Sequence, residues 1–426
     1  MPPIEDHPLR YQLTNELHAR PFPALKAPTT AVFLAIKREE KAAARDRAAD
    51  LAHLTALLDR HGAPHPQPGA THYMGRIGRD QLKWESHTEF VTYTIFRSGV
   101  SARPFDPADF EVFPEDWLRD APGVRIASAL IRVDPWTDTE VARAAIRDWF
   151  VPESVAVARV LDDAAIVATD FCIDAAGHQR MSVMIAPETG PNRVGRIVTR
   201  LCEIEIYKSL SMLGFSRARE MSGRMGELDQ RLSRMIEAMT GGDTRAEETL
   251  SDLLDVSAEL EALVARSSFR FGATAAYETI VDQRIEVLRE VRLEGRQTLS
   301  EFMMRRYEPA MRTVRATQAR LNAMADRARR AGELLRTRVD VERSAQNQAL
   351  LESMDRRADL QLRLQKTVEG LSVVAISYYA VSLAGYLLLP LAKGVGLDKG
   401  MLMALVTVPV VLAVWWVIRR IRRSVH

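Results

Sequence analysis

Apolar residues follow three rhythms along this chain. The first is a mixture of short β-branched runs and stretches of helical period, and it lasts to about residue 191. TTAVFLAI (Thr29 to Ile36) predicts a strand, and REEKAAARDRAADLAHLTALLDRHG after it predicts a helix ending at Gly62. THYMGRIG, LKWESHTEFVTYTIF and VRIASALIRVD predict further strands. TDTEVARAAIRDWF predicts a helix with Thr137 as N-cap and Glu140 at capping-box spacing. SVAVARVL, AAIVATDFCID and QRMSVMIAP predict three more strands. The hairpin-like succession predicts an α+β domain over residues 1–191 with a mixed or antiparallel sheet, not a doubly wound parallel one.

The second rhythm is helical, with no strand pattern from Asn192 onward. Residues 192–309 predict a long helical hairpin. One helix reaches about Met239, Thr240 to Thr244 (TGGDT) turns, and a helix with Leu250, Leu253, Leu254, Leu260 and Leu263 on one face returns. A third helical stretch is expected from about Ala273, kinked at Pro309. Residues 310–369 predict a stalk helix. Its apolar positions Met311, Val314, Leu321, Met324, Leu335 and Val339 suit packing against copies of itself or against the preceding helices.

The third rhythm is uninterrupted. Residues 370–391 and 400–418 contain no charge, and each run approaches the roughly 20 residues that cross a bilayer as a helix. Trp415 and Trp416 stand where an interfacial aromatic belt would. The joining loop, 392–399, is short enough to require adjacent antiparallel helices. Arg356, Arg357, Arg363 and Lys366 precede the first run; Arg419, Arg420, Arg422 and Arg423 follow the second, in a basic tail over 419–426. The positive-inside rule then predicts a two-span protein of the bacterial inner membrane with both ends and the bulk of the chain cytoplasmic. The arginine tail can lie on lipid headgroups, at about 1 kcal/mol per residue near the surface.

Composition narrows the function. Over 426 residues the formal net charge is +2, which gives no global attraction to nucleic acid, and no aromatics interleave with the stalk arginines to stack bases. Two cysteines, Cys172 and Cys202, exclude a disulfide framework. The opening MPPIEDHPLRYQL lacks the pattern of a signal peptide.

Three places offer chemistry. Ser372, Tyr379, Ser382 and Tyr386 share one face of the first apolar run, so that face should point at protein or water: either a hydroxyl-lined pore wall or hydrogen-bonding glue between helices. NELHARPFP carries Glu16, His18 and Arg20, which read either as an acid–base group or as a segment docked through Leu17 and Phe22. In WESHTEF, read as a single strand, Glu85, His87 and Glu89 occupy one face: an acid–base or metal site, or an exposed sheet face. His61, His65 and His72 lie in a Pro/Gly loop with no zinc spacing. Phosphate-loop, dinucleotide and hydrolase motifs are missing, and no cofactor, metal or catalytic activity is predicted.

HPLRYQLTNELHARPFPALKAP, LKWESHTEF and LRLQKTVEGLSVVAISYYAVSLAGYL together resemble a bacterial family of membrane-anchored proteins known as a domain of unknown function. The order of parts, an α/β domain, antiparallel helices, a stalk, two spans and a basic tail, is also similar to the CorA family of magnesium channels. That likeness implies a homo-oligomer, pentameric if CorA-like, with the first span lining a pore. The CorA signature Gly-Met-Asn is replaced here by Gly385-Tyr386-Leu387, and the loop lysines would not concentrate cations. Fold and topology therefore carry over, and magnesium selectivity does not. The leading expectation is a membrane-tethered cytosolic sensor or scaffold, partnered by lipid and by its own copies and not by nucleic acid. A CorA-type ion channel or divalent cation transporter is the alternative, and a membrane-bound hydrolase is third.

Overall fold

A computed structural model describes residues 4–11, 13–14, 22–38, 46–241, 246–394 and 398–425. The chain divides into two compact units: Met1–Asp243 with Ser251–Ala331, and Thr244–Leu250 with Gly332–His426.

The first unit is built on one nine-stranded sheet. Its strands are β1 (Thr29–Lys37), β2 (His72–Ile77), β3 (Asp80–Ser86), β4 (Phe90–Ser98), β5 (Val124–Pro135), β6 (Ala156–Val160), β7 (Ala165–Ile173), β8 (Gln179–Ile185) and β9 (Val291–Arg292). They lie in the order β2-β3-β4-β1-β5-β8-β7-β6-β9. The sheet is mixed: β5 and β8 run parallel, and every other pairing is antiparallel. β1 is apolar on both faces, and all nine of its residues are buried, which is why a run without alternation becomes a central strand. β9 departs from the expectation of no strand beyond Asn192. Two residues suffice because they add to an existing edge, pairing with Ala158 and Arg159 of β6.

One face of the sheet carries the short helices α1 (Arg47–Arg60), α2 (Glu115–Arg119) and α3 (Thr139–Trp149). Leu54, Leu57 and Leu58 of α1 meet Val32, Leu34, Trp84 and Tyr93, with Trp117 and Phe113 filling the layer. His53 is part of this core. Its ring stacks on Trp117 and bonds to the Tyr93 hydroxyl at 2.9 Å and the Trp117 carbonyl at 3.0 Å, and burial holds it below the usual histidine range. The cap of α3 is Asp138, not Thr137; its carboxylate accepts from Glu140 N–H at 2.9 Å.

The other face receives α4 (Pro191–Gly241), which α5 (Ala246–Glu286) follows antiparallel in sequence order. Phe33, Thr92, Thr94 and Lys83 point toward Cys202, Glu203 and Ile206 of α4. Gly214 permits the close crossing of α4 and α5, since a Cβ there would strike the Thr274 side chain. Ala273 lies inside α5 and starts no new helix. α6 (Leu299–Arg306) is set by a Thr298–Glu301 capping box, and α7 starts at Glu308. Pro309 thus falls in the first turn of α7, where its missing N–H costs nothing, and does not kink a continuous helix.

α7 (Glu308–Gly394) continues without a break through the second unit, and α8 (Lys399–Val425) follows. Both are long and apolar enough to cross a membrane. Within the unit they pack through Ala384, Leu389, Leu402, Val406 and Val410. A Cβ on Gly385 would collide with the Met403 thioether, so glycine sets the closest approach.

Candidate ligand-binding cleft

The segment read as one strand, WESHTEF, is a reversal. β3 ends at Ser86, His87 N–H donates to the Phe90 carbonyl at 2.9 Å, and β4 begins at Phe90. Glu85, His87 and Glu89 therefore do not share a strand face. They surround the end of a hairpin, and each meets a different environment.

Glu89 points inward, with a fully buried side chain. Arg270 grips its carboxylate with two bonds, 2.5 and 3.1 Å, and the Tyr277 hydroxyl donates a third at 2.6 Å. Lys37, at the end of β1, adds its charge at 3.8 Å. Burial alone would push the Glu89 carboxyl up. The bonds from Arg270 and Tyr277, with the charges of Arg270 and Lys37, outweigh burial and hold it below the usual carboxylate range. Burial and the same carboxylate push the Tyr277 phenol up, and burial pulls the Lys37 ammonium down. Arg270 and Tyr277 are seven residues apart, two turns of α5, so one helix face delivers both.

Over this buried group lies a cleft of about 510 Å³. His87, Thr88, Phe90, Tyr207 and Tyr277 line it, with Ser86, Thr71, Arg47, Leu13 and Ile280 around them. The His87 ring stacks on Phe90 with centroids 4.2 Å apart, and Tyr207 presents its edge to Phe90 at 5.9 Å. Behind Tyr207 and His87 a second cavity, of about 20 Å³, holds room for a water molecule. Glu85 lines it, in an ion pair with Lys83 at 2.9 Å, together with Thr199 and Glu203. The Thr199 hydroxyl is buried with no hydrogen-bond partner among the described residues, which suits a bound water. Burial pushes the Glu203 carboxyl up against the Arg284 ion pair at 2.5 Å, and pushes the Cys202 thiol up as well. A thiol so held is a poor nucleophile.

The structure thus brings Glu85 and His87 to one place and commits Glu89 to holding the fold there. Tyr207 and Tyr277 complete the cleft, and Arg270 holds Glu89 beneath it. Glu16, His18 and Arg20 lie outside the described residues. Among the described residues no group of three or more His, Cys, Asp or Glu could hold a metal ion. His65 bonds Asp59 at 2.6 Å on the surface, and His72 lies in β2.

In the second unit Ser372, Tyr379 and Tyr386 are exposed and Ser382 is half-buried, while Ser377, one turn away, is the serine enclosed between the helices. Arg419 and Arg420 lie over the rings of Trp415 and Trp416, 4.9 and 5.4 Å from their centroids. Arg422 and Arg423 continue the same helix.

These features define a protein with an N-terminal α/β region on a mixed sheet, long helices and two apolar helices toward its C-terminus. The chain belongs to the family described as "Protein of unknown function (DUF3422)", whose pattern matches residues 5–425. No curated protein matches it.

Proposed function

We propose that this protein is a membrane-anchored sensor or scaffold that binds a small ligand in the cleft over Glu89. One observation carries the reading. The cleft over the paired Glu89 group is lined by aromatic rings (Tyr207, Tyr277), an imidazole, hydroxyls and Arg47. Such a lining recognises a molecule that combines a flat ring with an anionic group. α7 and α8 anchor the chain as a two-span hairpin in the inner membrane, with both ends cytoplasmic by the distribution of arginine, and copies of the chain assemble there. A second reading, a channel of the CorA type, draws on the exposed Ser372–Tyr379–Tyr386 hydroxyls, which would face a central passage in a ring of subunits, a pentamer if CorA-like. A hydrolase reading would use His87 beside Glu85 and is the weakest, because Glu85 is paired with Lys83.

The test is thermal stability of the purified protein against nucleotides and aromatic carboxylic acids. A rise in melting temperature for one class in the wild type, lost in Tyr207→Ala, supports the sensor. No shift with any compound overturns it.

A further inference from the structure

An unbalanced group of charges lies at the start of α4. Arg193, Arg196 and Arg200 are three and four residues apart, so they share one face of that helix. Arg284, near the end of α5, and Arg289, just beyond it, come to the same place. Arg289 gets there through a left-handed backbone, φ 48°, which a residue with a side chain adopts only at a steric cost.

Two carboxylates answer these five guanidinium groups among the described residues. Asp162 takes Arg289 at 2.8 Å and Arg193 at 3.4 Å, and Glu203 takes Arg284 at 2.5 Å. Arg196 and Arg200 have no carboxylate within ion-pair distance among the described residues. Arg200 reaches a neutral acceptor instead, the Val287 carbonyl, over a long 3.4 Å. It is also half-buried. Burial, with the charges of Arg196, Arg284 and Arg289, pulls it below the usual arginine value, and Glu203 acts the other way. An arginine still keeps its proton at neutral pH, so the chain cannot relieve this crowding by losing one. An anion from outside can.

We propose that this arginine face of α4 binds a phosphate-bearing anion, at a site separate from the cleft over Glu89. Arg196 and Arg200 present the guanidinium forks that no carboxylate occupies, and such forks match phosphate oxygens two at a time. Arg193, Arg284 and Arg289 stay tied to their carboxylates and add a positive field. From Arg193 to Glu203 the helix rises about 15 Å, a length that suits a compact anion and not a polymer. None of the five arginines lines the cleft, so neither site depends on the other.

Isothermal titration of the full-length protein in detergent with pyrophosphate, at low ionic strength, tests it. Saturable binding of one ion per chain is expected. Arg200→Ala and Arg196→Ala should each weaken it about tenfold or more. Arg196 is exposed, so its replacement leaves the packing intact. Arg200→Lys, which keeps the charge and loses the fork, should recover part of the loss. Arg60→Ala, on the opposite face of the sheet, should bind as the wild type does. The absence of saturable binding, or equal weakening in Arg60→Ala, overturns the proposal. Repeating the titration in phosphatidylcholine nanodiscs, with and without phosphatidylglycerol, separates the sources. Weaker pyrophosphate binding with phosphatidylglycerol assigns the site to a lipid headgroup, and unchanged binding assigns it to a soluble phosphate compound. The cleft is tested separately, by ligand-dependent melting.

Discussion

Glu89 in the sheet unit and Tyr379 in the C-terminal helices stand at opposite extremes. The carboxylate is wholly enclosed, with an arginine, a tyrosine and a lysine gathered round it. The phenol is 72% exposed on an apolar helix. A buried charge is tolerable only when its partners come with it, so the sheet unit supplies them from β1 and α5. An exposed apolar face is tolerable only when something outside the chain covers it. The first unit is complete within one chain. The second leaves an apolar face uncovered within one chain.

The comparison breaks most sharply at Arg270. Arg270→Ala leaves Glu89 buried and unpaired, and should destabilise the sheet unit by about 3–5 kcal/mol in chemical denaturation. The exposed pair of Arg60 and Asp116, bonded at 2.7 Å, should change little when Arg60→Ala is made. If both variants behave alike, the buried group does not hold the unit together.

Acid gives the next largest effect. A carboxyl held below its ordinary value of 4.5 adds stability that is fully present above that pH and is lost as the pH falls below it. Melting temperature should therefore fall as the pH drops below about 4.5. Glu203 and Glu290, which burial pushes up, act in the opposite direction, so the reading is the difference from Glu89→Gln at each pH. The variant should be less stable at pH 7 and less sensitive to acid; parallel curves would show that Glu89 does not contribute.

The smallest effect sharpens the other side of the comparison. Gly385→Ala pushes only on the flexible Met403 side chain, and should loosen the α7–α8 pair by about 1 kcal/mol in an unfolding titration in detergent. A stabilised hairpin would mean that the two helices do not approach at that glycine.

Most of the strand pattern was legible because β-branched runs such as TTAVFLAI have no competing helical period. The reversal after Ser86 was not, because Ser86-His87-Thr88-Glu89 contains neither Gly nor Pro to mark a turn. Glu89 could be picked out as a carboxylate, but its partners could not: Arg270 and Tyr277 lie 181 and 188 residues away, and no local pattern spans that separation. The two apolar helices were plain from length alone. Whether the Met311–Val339 stripe meets copies or the chain itself was not legible, since only the packing shows that it is covered within the chain.

The late strand β9 has a consequence for how the protein is made. β6 is complete once residue 160 has left the ribosome, yet its outer edge stays open until residues 291 and 292 arrive. Gln297, whose side-chain amide donates to the Ser154 and Val155 carbonyls at 3.3 and 3.1 Å, comes later still. At about 5–20 residues per second that is an interval of roughly ten seconds. During it a nascent chain carries a bare strand edge, the kind of surface that recruits other unfinished chains. Emergence of residues 291–297 closes that window before the first apolar helix has been synthesised.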